Sequence, residues 1–204
     1  MVDATISCVR MRDLARPGRS PQSTTAWHQP SSVAVLHLVR HTAVELVDGV
    51  PPPDWPVTEE GRRAAERLAR DPVWRGVALV ATSPEAKAVA TAEPIARAAE
   101  LAPHVDPDLR EVWRHGTPVL PRAQYVDLVA RYLGGEPFEG WEPQEHARRR
   151  VLGALDRIAA VSPGAAAVVT HGLVLALALG LDLEEWAALP LPGVVRVIEW
   201  EVGG

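Results

Sequence analysis

From residue 33 onward, short apolar runs alternate with longer stretches rich in Ala, Leu and Arg, the rhythm of strands separated by helices. VAVLHLV (33–39), VALVAT (77–82), AAAVVT (165–170) and VVRVIEWEV (194–202) predict four strands. The first three are apolar on both alternating faces, as in strands covered by helices on two sides, whereas the last alternates and suits an antiparallel edge. Helices are expected over 59–70, from Ser83-Pro84 onward, and over 121–133, 142–160, 171–180 and 182–189. Thr58 is the expected cap of the first, with Glu59 and Glu60 at its positive end. Pro94 should kink or split the second. The fold class that follows is α/β: a mostly parallel central sheet with an antiparallel edge strand.

Residues 1–31 lack any sustained apolar period and combine Arg10, Arg12, Arg16 and Arg19 with Ser, Thr and Pro. They read as a disordered N-terminal extension, leaving a single folded domain over 32–204. The full chain has 204 residues, 47% of them hydrophobic, and a formal net charge of −5. With the four arginines and two aspartates of the extension set aside, the folded part carries −7. An acidic domain offers no broad basic face to nucleic acid or anionic lipid, so an anionic ligand must be drawn by a local cationic pocket. The lone cysteine, Cys8, excludes an internal disulfide and a Cys-rich zinc site. LVLALALGL (173–181), the longest apolar stretch, is too short to span a bilayer. A cytoplasmic protein without membrane or nucleic-acid partners is expected, and the alternating last strand could pair with a second copy to make a homodimer.

In parallel α/β sheets, ligands bind in the crevice beyond the carboxyl ends of the strands. Arg40 and His41 leave the first strand there, and His171 in THG leaves the third. TSPEAKA, after the second, brings Ser83 at a helix start and Lys87 one turn in. These cationic or proton-donating groups around one rim predict an anion of phosphate size. Imidazole can act as a nucleophile, and Glu111 in DLREVW is a candidate proton donor to a leaving alkoxide. His41, His171 and Glu111 could alternatively make a His₂Glu zinc site, although Arg40 would repel the ion.

LVRHT, PVTEEGRRAA, TSPEAKAVATA, LRE and VVTHG occur in the order and approximate spacing of the histidine phosphatase superfamily, the phosphoglycerate-mutase-like enzymes, which residues 33–200 therefore resemble. The resemblance implies a three-layer αβα fold with no metal or other cofactor and a small phosphorylated substrate. It implies catalytic roles for His41 as phosphorylated nucleophile, Glu111 as proton donor and His171. Arg40, Lys87 and the backbone N–H of Thr42 would hold phosphate. Two departures stand out. Thr42, Ala43 and Val44 follow the nucleophile where Gly or Ala and then Thr or Ser are usual, and Lys87 replaces a second Arg, exchanging a planar fork for a point charge. No long insertion of the mutase kind is evident, which favours phosphomonoester hydrolysis. A mutase-type phosphotransferase and a phosphate-binding protein without turnover are the alternatives. Specificity is expected in loops 43–56, 112–122 and 134–143, with Arg114 and His115 near the entrance. Trp141-Glu142 resembles a family element in which Glu opens a helix.

Overall fold

The computed structural model describes residues 9–10, 33–116 and 118–201. Its strands are β1 (Val9–Arg10), β2 (Val33–Arg40), β3 (Val77–Thr82), β4 (His104–Val105), β5 (Ala165–Thr170) and β6 (Gly193–Glu201). They form one sheet in the order β1-β6-β2-β5-β3-β4. β2, β5, β3 and β4 run parallel, and β6 is antiparallel to β2, with Leu36 opposite Ile198. The two-residue β1 lies parallel along the outer side of β6. The rest of the extension expected over 1–31 falls outside the described residues.

The helices are α1 (Glu59–Leu68), α2 (Ala86–Ala98), α3 (Arg122–Leu133), α4 (Gln144–Val161), α5 (Gly172–Leu179) and α6 (Leu183–Ala187). Two apolar clusters cover opposite faces of the sheet. Leu36 and Leu38 pack with residues of α3, α4, α5 and α6, while Val39, Val80 and Val169 pack with Trp74 and the Ala-rich face of α2. The alternation of side chains along β2 divides it between them and produces the mixed three-layer arrangement. α5 is buried all round, as an all-apolar helix must be, and ends at Gly180 with φ +66°, the left-handed cap. Burial of each of its leucines is worth about 1.5–3 kcal/mol.

Thr58 caps α1 as expected, its hydroxyl accepting the Gly61 N–H at 2.9 Å. Pro94 does not split its helix: α2 continues through it as one element. Ala88, Ala92, Ile95 and Ala96 bury the face of α2 that meets the sheet, and this packing outweighs the lost backbone bond. At the amino end of α1, a Cβ on Gly61 would sit 2.5 Å from the Ala43 carbonyl. Only glycine permits that approach. Thr42 uses it, donating its hydroxyl proton to the Gly61 carbonyl at 2.6 Å. The residues just after His41 thus dock α1 onto the end of β2.

Candidate active site

β2 delivers His41 to the carboxyl edge of the sheet, where its backbone N–H continues the ladder to Thr170 O at 2.9 Å. The imidazole Nδ1 lies 2.6 Å from the Thr42 carbonyl oxygen. A carbonyl can only accept, so Nδ1 carries the ring proton and Nε2 holds the lone pair. Burial above all, then the neighbouring His171 and the Lys87 charge, push the His41 pKa well below its ordinary value. The ring is neutral at pH 7 and nucleophilic at Nε2.

β5 delivers His171 to the same edge, 5.1 Å from His41 between ring centroids. Its Nε2 is 2.7 Å from Ser83 Oγ, and its pKa is also pushed well down, chiefly by burial and then by Lys87. Arg40, next in alternation after Leu36 and Leu38, lies over the first residue of α5. A Cβ on Gly172 would stand 3.0 Å from Arg40 Nε, so that glycine makes the approach possible. One guanidinium nitrogen, Nη1, donates to Leu189 O at 3.1 Å. Arg40 Nε and His171 Nδ1 are buried polar atoms without a protein partner.

Glu111 is held by backbone on every side. Its carboxylate accepts the N–H groups of Val112 at 2.9 Å, Leu173 at 3.2 Å and Val174 at 3.0 Å. The last two belong to the first turn of α5, so Glu111 supplies the side-chain cap that His171 does not. Its loop is gripped by Arg150 of α4, which donates to the carbonyls of Asp108 (2.7 Å), Arg110 (2.8 Å) and Glu111 (3.0 Å). The same guanidinium forks onto the buried Glu142 carboxylate at 2.8 and 2.6 Å. Glu142 lies two residues before α4 and anchors Arg150, a tertiary role beyond a charge at a helix start.

Two of the expected phosphate ligands are engaged within the protein. Lys87 is not an open cation. Its ammonium is closed in a buried ion pair with Glu85 and donates to Pro52 O at 2.8 Å. Thr42, expected to offer its backbone N–H to phosphate, donates it instead to Thr91 Oγ1 at 2.9 Å. Thr91 stands one helical turn after Lys87, and its own hydroxyl proton goes to the Lys87 carbonyl, which is why it can accept from Thr42. Arg40, His41, Glu111 and His171 are brought together, and Lys87 acts on them by its charge at the two histidines and by contact through Glu85.

Glu85 and Arg150 were missed by sequence reasoning. Glu85 Oε1 accepts the Glu111 N–H at 2.7 Å and lies 3.5 Å from His171 Nε2, while Oε2 holds Lys87. The only signal for it was a carboxylate two residues before Lys87. For Arg150 there was none, because its partners lie 8 to 42 positions away. A cleft of about 410 Å³ opens beside the two carboxylates, walled by Pro51, Pro52, Pro53 and Pro84 and by the segment from Arg110 to His115. Loops 43–56 and 112–122 thus contribute to it, as do Arg114 and His115, whereas 134–143 does not line it. Among the described residues no group of three or more His, Cys, Asp or Glu is arranged to hold a metal ion, and no helix is long and apolar enough to cross a membrane.

Comparison with known proteins bears on this arrangement. No curated protein sequence matches the chain. Among solved structures, a mycobacterial glucosyl-3-phosphoglycerate phosphatase complexed with VO3 shares 21% identity at a TM-score of 0.64, over 83% of this chain and 97% of its own. The phosphoserine phosphatase of Entamoeba histolytica shares 18% at 0.60, covering 81% and 94%. The phosphoglycerate mutase of Bacillus anthracis shares 19% at 0.59, covering 74% and 80%. These likenesses establish the shared phosphoglycerate-mutase-like fold. The model of the histidine phosphatase superfamily (branch 1) matches residues 36–204, which takes in both strand-end histidines and Glu111, and the chain belongs to that superfamily.

Proposed function

We propose that this chain is a metal-independent phosphatase that hydrolyses small phosphomonoesters through a phosphohistidine on His41. The observation that carries the reading is the state of His41: neutral, with Nδ1 committed to Thr42 O and Nε2 left as the nucleophile beside two buried, unpartnered nitrogens. Assigning Ser83 as the donor to His171 Nε2 places the His171 proton on Nδ1. That N–H and Arg40 Nε are then two donors suited to phosphoryl oxygens, and catalysis of phosphoryl transfer consists mainly of such positioning and charge.

In the first step His41 Nε2 attacks phosphorus, the ester P–O bond breaks, and Glu111 passes a proton to the leaving oxygen. In the second, water attacks phospho-His41, its proton returns to Glu111, and inorganic phosphate leaves with Nε2 restored. The body of the leaving group occupies the proline-walled cleft beside Glu111. Phosphatases of phosphorylated small molecules among the solved relatives support this reading, and the mutase among them makes transfer to a second acceptor its near variant. The closure of Lys87 onto Glu85 favours one other reading, phosphate binding without turnover.

The test is hydrolysis of a generic aryl phosphate in excess chelator. Activity should persist with chelator and disappear in His41→Ala. Loss on chelation, or an active His41→Ala protein, rejects the proposal, and single-turnover phosphate release at an enzymatic rate removes the binding-only reading.

A further inference from the structure

Lys87 stands where an anion-binding cation is expected, yet its side chain is 6% exposed and its ammonium is paired with the carboxylate of Glu85, whose side chain is 7% exposed. An ammonium has three donors. Two are directed at Glu85 Oε2 and Pro52 O, which ties α2 to the proline wall of the cleft. Glu85 lines that cleft and touches the catalytic groups on two sides, through the Glu111 N–H and through His171 Nε2. Its backbone N–H goes to Ser83 Oγ at 3.3 Å, the same oxygen that meets His171. The cleft therefore contains its own anion, paired with the cation and next to the catalytic groups.

The charge balance follows. His41 and His171 are neutral, Arg40 and Lys87 are cationic, and Glu85 and Glu111 face them. A phosphomonoester dianion entering this pocket meets the Glu85 carboxylate, and one of the two cations is already neutralised by contact with it. Resting on the phosphatase reading of the site, we propose that Glu85 is a specificity-determining residue that makes phosphoryl binding proton-coupled. The phosphoryl group takes over Lys87 as the Glu85 carboxylate gives it up and gains a proton from solvent. The site consequently selects phosphomonoesters as monoanions, or as dianions accompanied by one proton. The groups facing Glu85 in this exchange are Lys87 from the first turn of α2, His171 from the β5–α5 junction, Glu111 from the loop after β4, and Asp54, Arg110 and Arg114 along the cleft. Of these, Lys87 alone is in ion-pair contact with the Glu85 carboxylate at neutral pH.

The probe is inorganic phosphate, titrated calorimetrically near pH 8 in buffers of different ionisation enthalpy. The wild-type protein should take up about one proton per phosphate bound. Glu85→Gln, which keeps the shape and removes the charge, should bind phosphate about tenfold tighter at that pH without the uptake, and the gain should vanish in a Lys87→Met background. A role confined to holding the Glu111 loop predicts unchanged or weaker binding in Glu85→Gln, equal in both backgrounds, and overturns the proposal. So does wild-type binding without proton uptake, which decides the matter even if the variant does not fold. Failure of phosphate to bind any of the proteins would instead remove the phosphatase reading itself.

Discussion

Two buried ion pairs grip the backbone of Glu111 from opposite sides, Arg150–Glu142 at its carbonyl and Lys87–Glu85 at its N–H. The first is a planar fork whose nitrogens reach two carboxylate oxygens and three carbonyls, so its desolvation is matched bond for bond. The second is a compact ammonium on a flexible stem, beside a cleft that admits solvent. Equal burial therefore conceals different capacities for change. The fork has one satisfactory arrangement and acts as a frame, whereas the ammonium can exchange one oxygen for another.

The largest expected effect separates the two pairs by stability. Arg150→Met takes the bidentate partner from a buried carboxylate, leaving it Arg110 at 3.4 Å and the Trp113 N–H at 3.3 Å, and removes the donor to three carbonyls. The substitution should cost about 3–5 kcal/mol, lowering Tm by roughly 10 °C. Lys87→Met should cost less, about 1–3 kcal/mol, because Glu85 keeps the Glu111 N–H and lines the cleft. Equal losses in thermal and urea unfolding would break the contrast between frame and exchangeable pair.

Next in size is a test of Arg40, a cation that neither pair restrains. Gly172→Ala would set a methyl 3.0 Å from Arg40 Nε and push the guanidinium off the first turn of α5. We expect kcat/KM on an aryl phosphate to fall about tenfold, a loss of about 1.4 kcal/mol in transition-state binding, with little change in Tm. Unchanged kinetics would mean that Arg40 does not hold the phosphoryl group.

Smallest is a pH effect on stability. The pKa values of His41, His171 and His37 are lowered mainly by burial, and Lys87 adds to the lowering at the first two. These rings stay neutral in the folded protein while those of the unfolded chain protonate near pH 6.5. Unfolding then takes up protons, so stability is complete above about pH 6.5 and declines as the pH falls below it. Unfolding free energies at a series of pH values should show this slope, and Lys87→Met should make it shallower. A flat profile between neutral pH and about pH 5.5 would contradict the neutral-imidazole assignment.

The layout of the fold and the strand-end residues was readable in the sequence because both depend on local pattern. The both-faced apolar runs of β2, β3 and β5 place them inside a covered parallel sheet, and the residues that follow such strands necessarily reach one edge. Arg40, His41 and His171 were found that way. What escaped was pairing at a distance. Glu85 matters because folding brings Glu111 and His171 to it, and Arg150 because the Glu111 loop wraps onto α4. The contact of the Thr42 N–H was hidden for the same reason, since Thr91, its acceptor, lies 49 residues away. Pro94 does not split α2 because packing against the sheet, invisible in a local window, holds the helix together.

The central claim concerns one atom, Nε2 of His41. Rapid quench of the protein with an excess of phosphate-labelled aryl ester should trap label on His41 in a linkage labile to acid and stable to base. The label should form and decay fast enough to carry steady-state turnover, and it should be absent from His41→Ala. Label on any other residue, or turnover with no trapped phosphoenzyme and full activity in His41→Ala, would contradict the account.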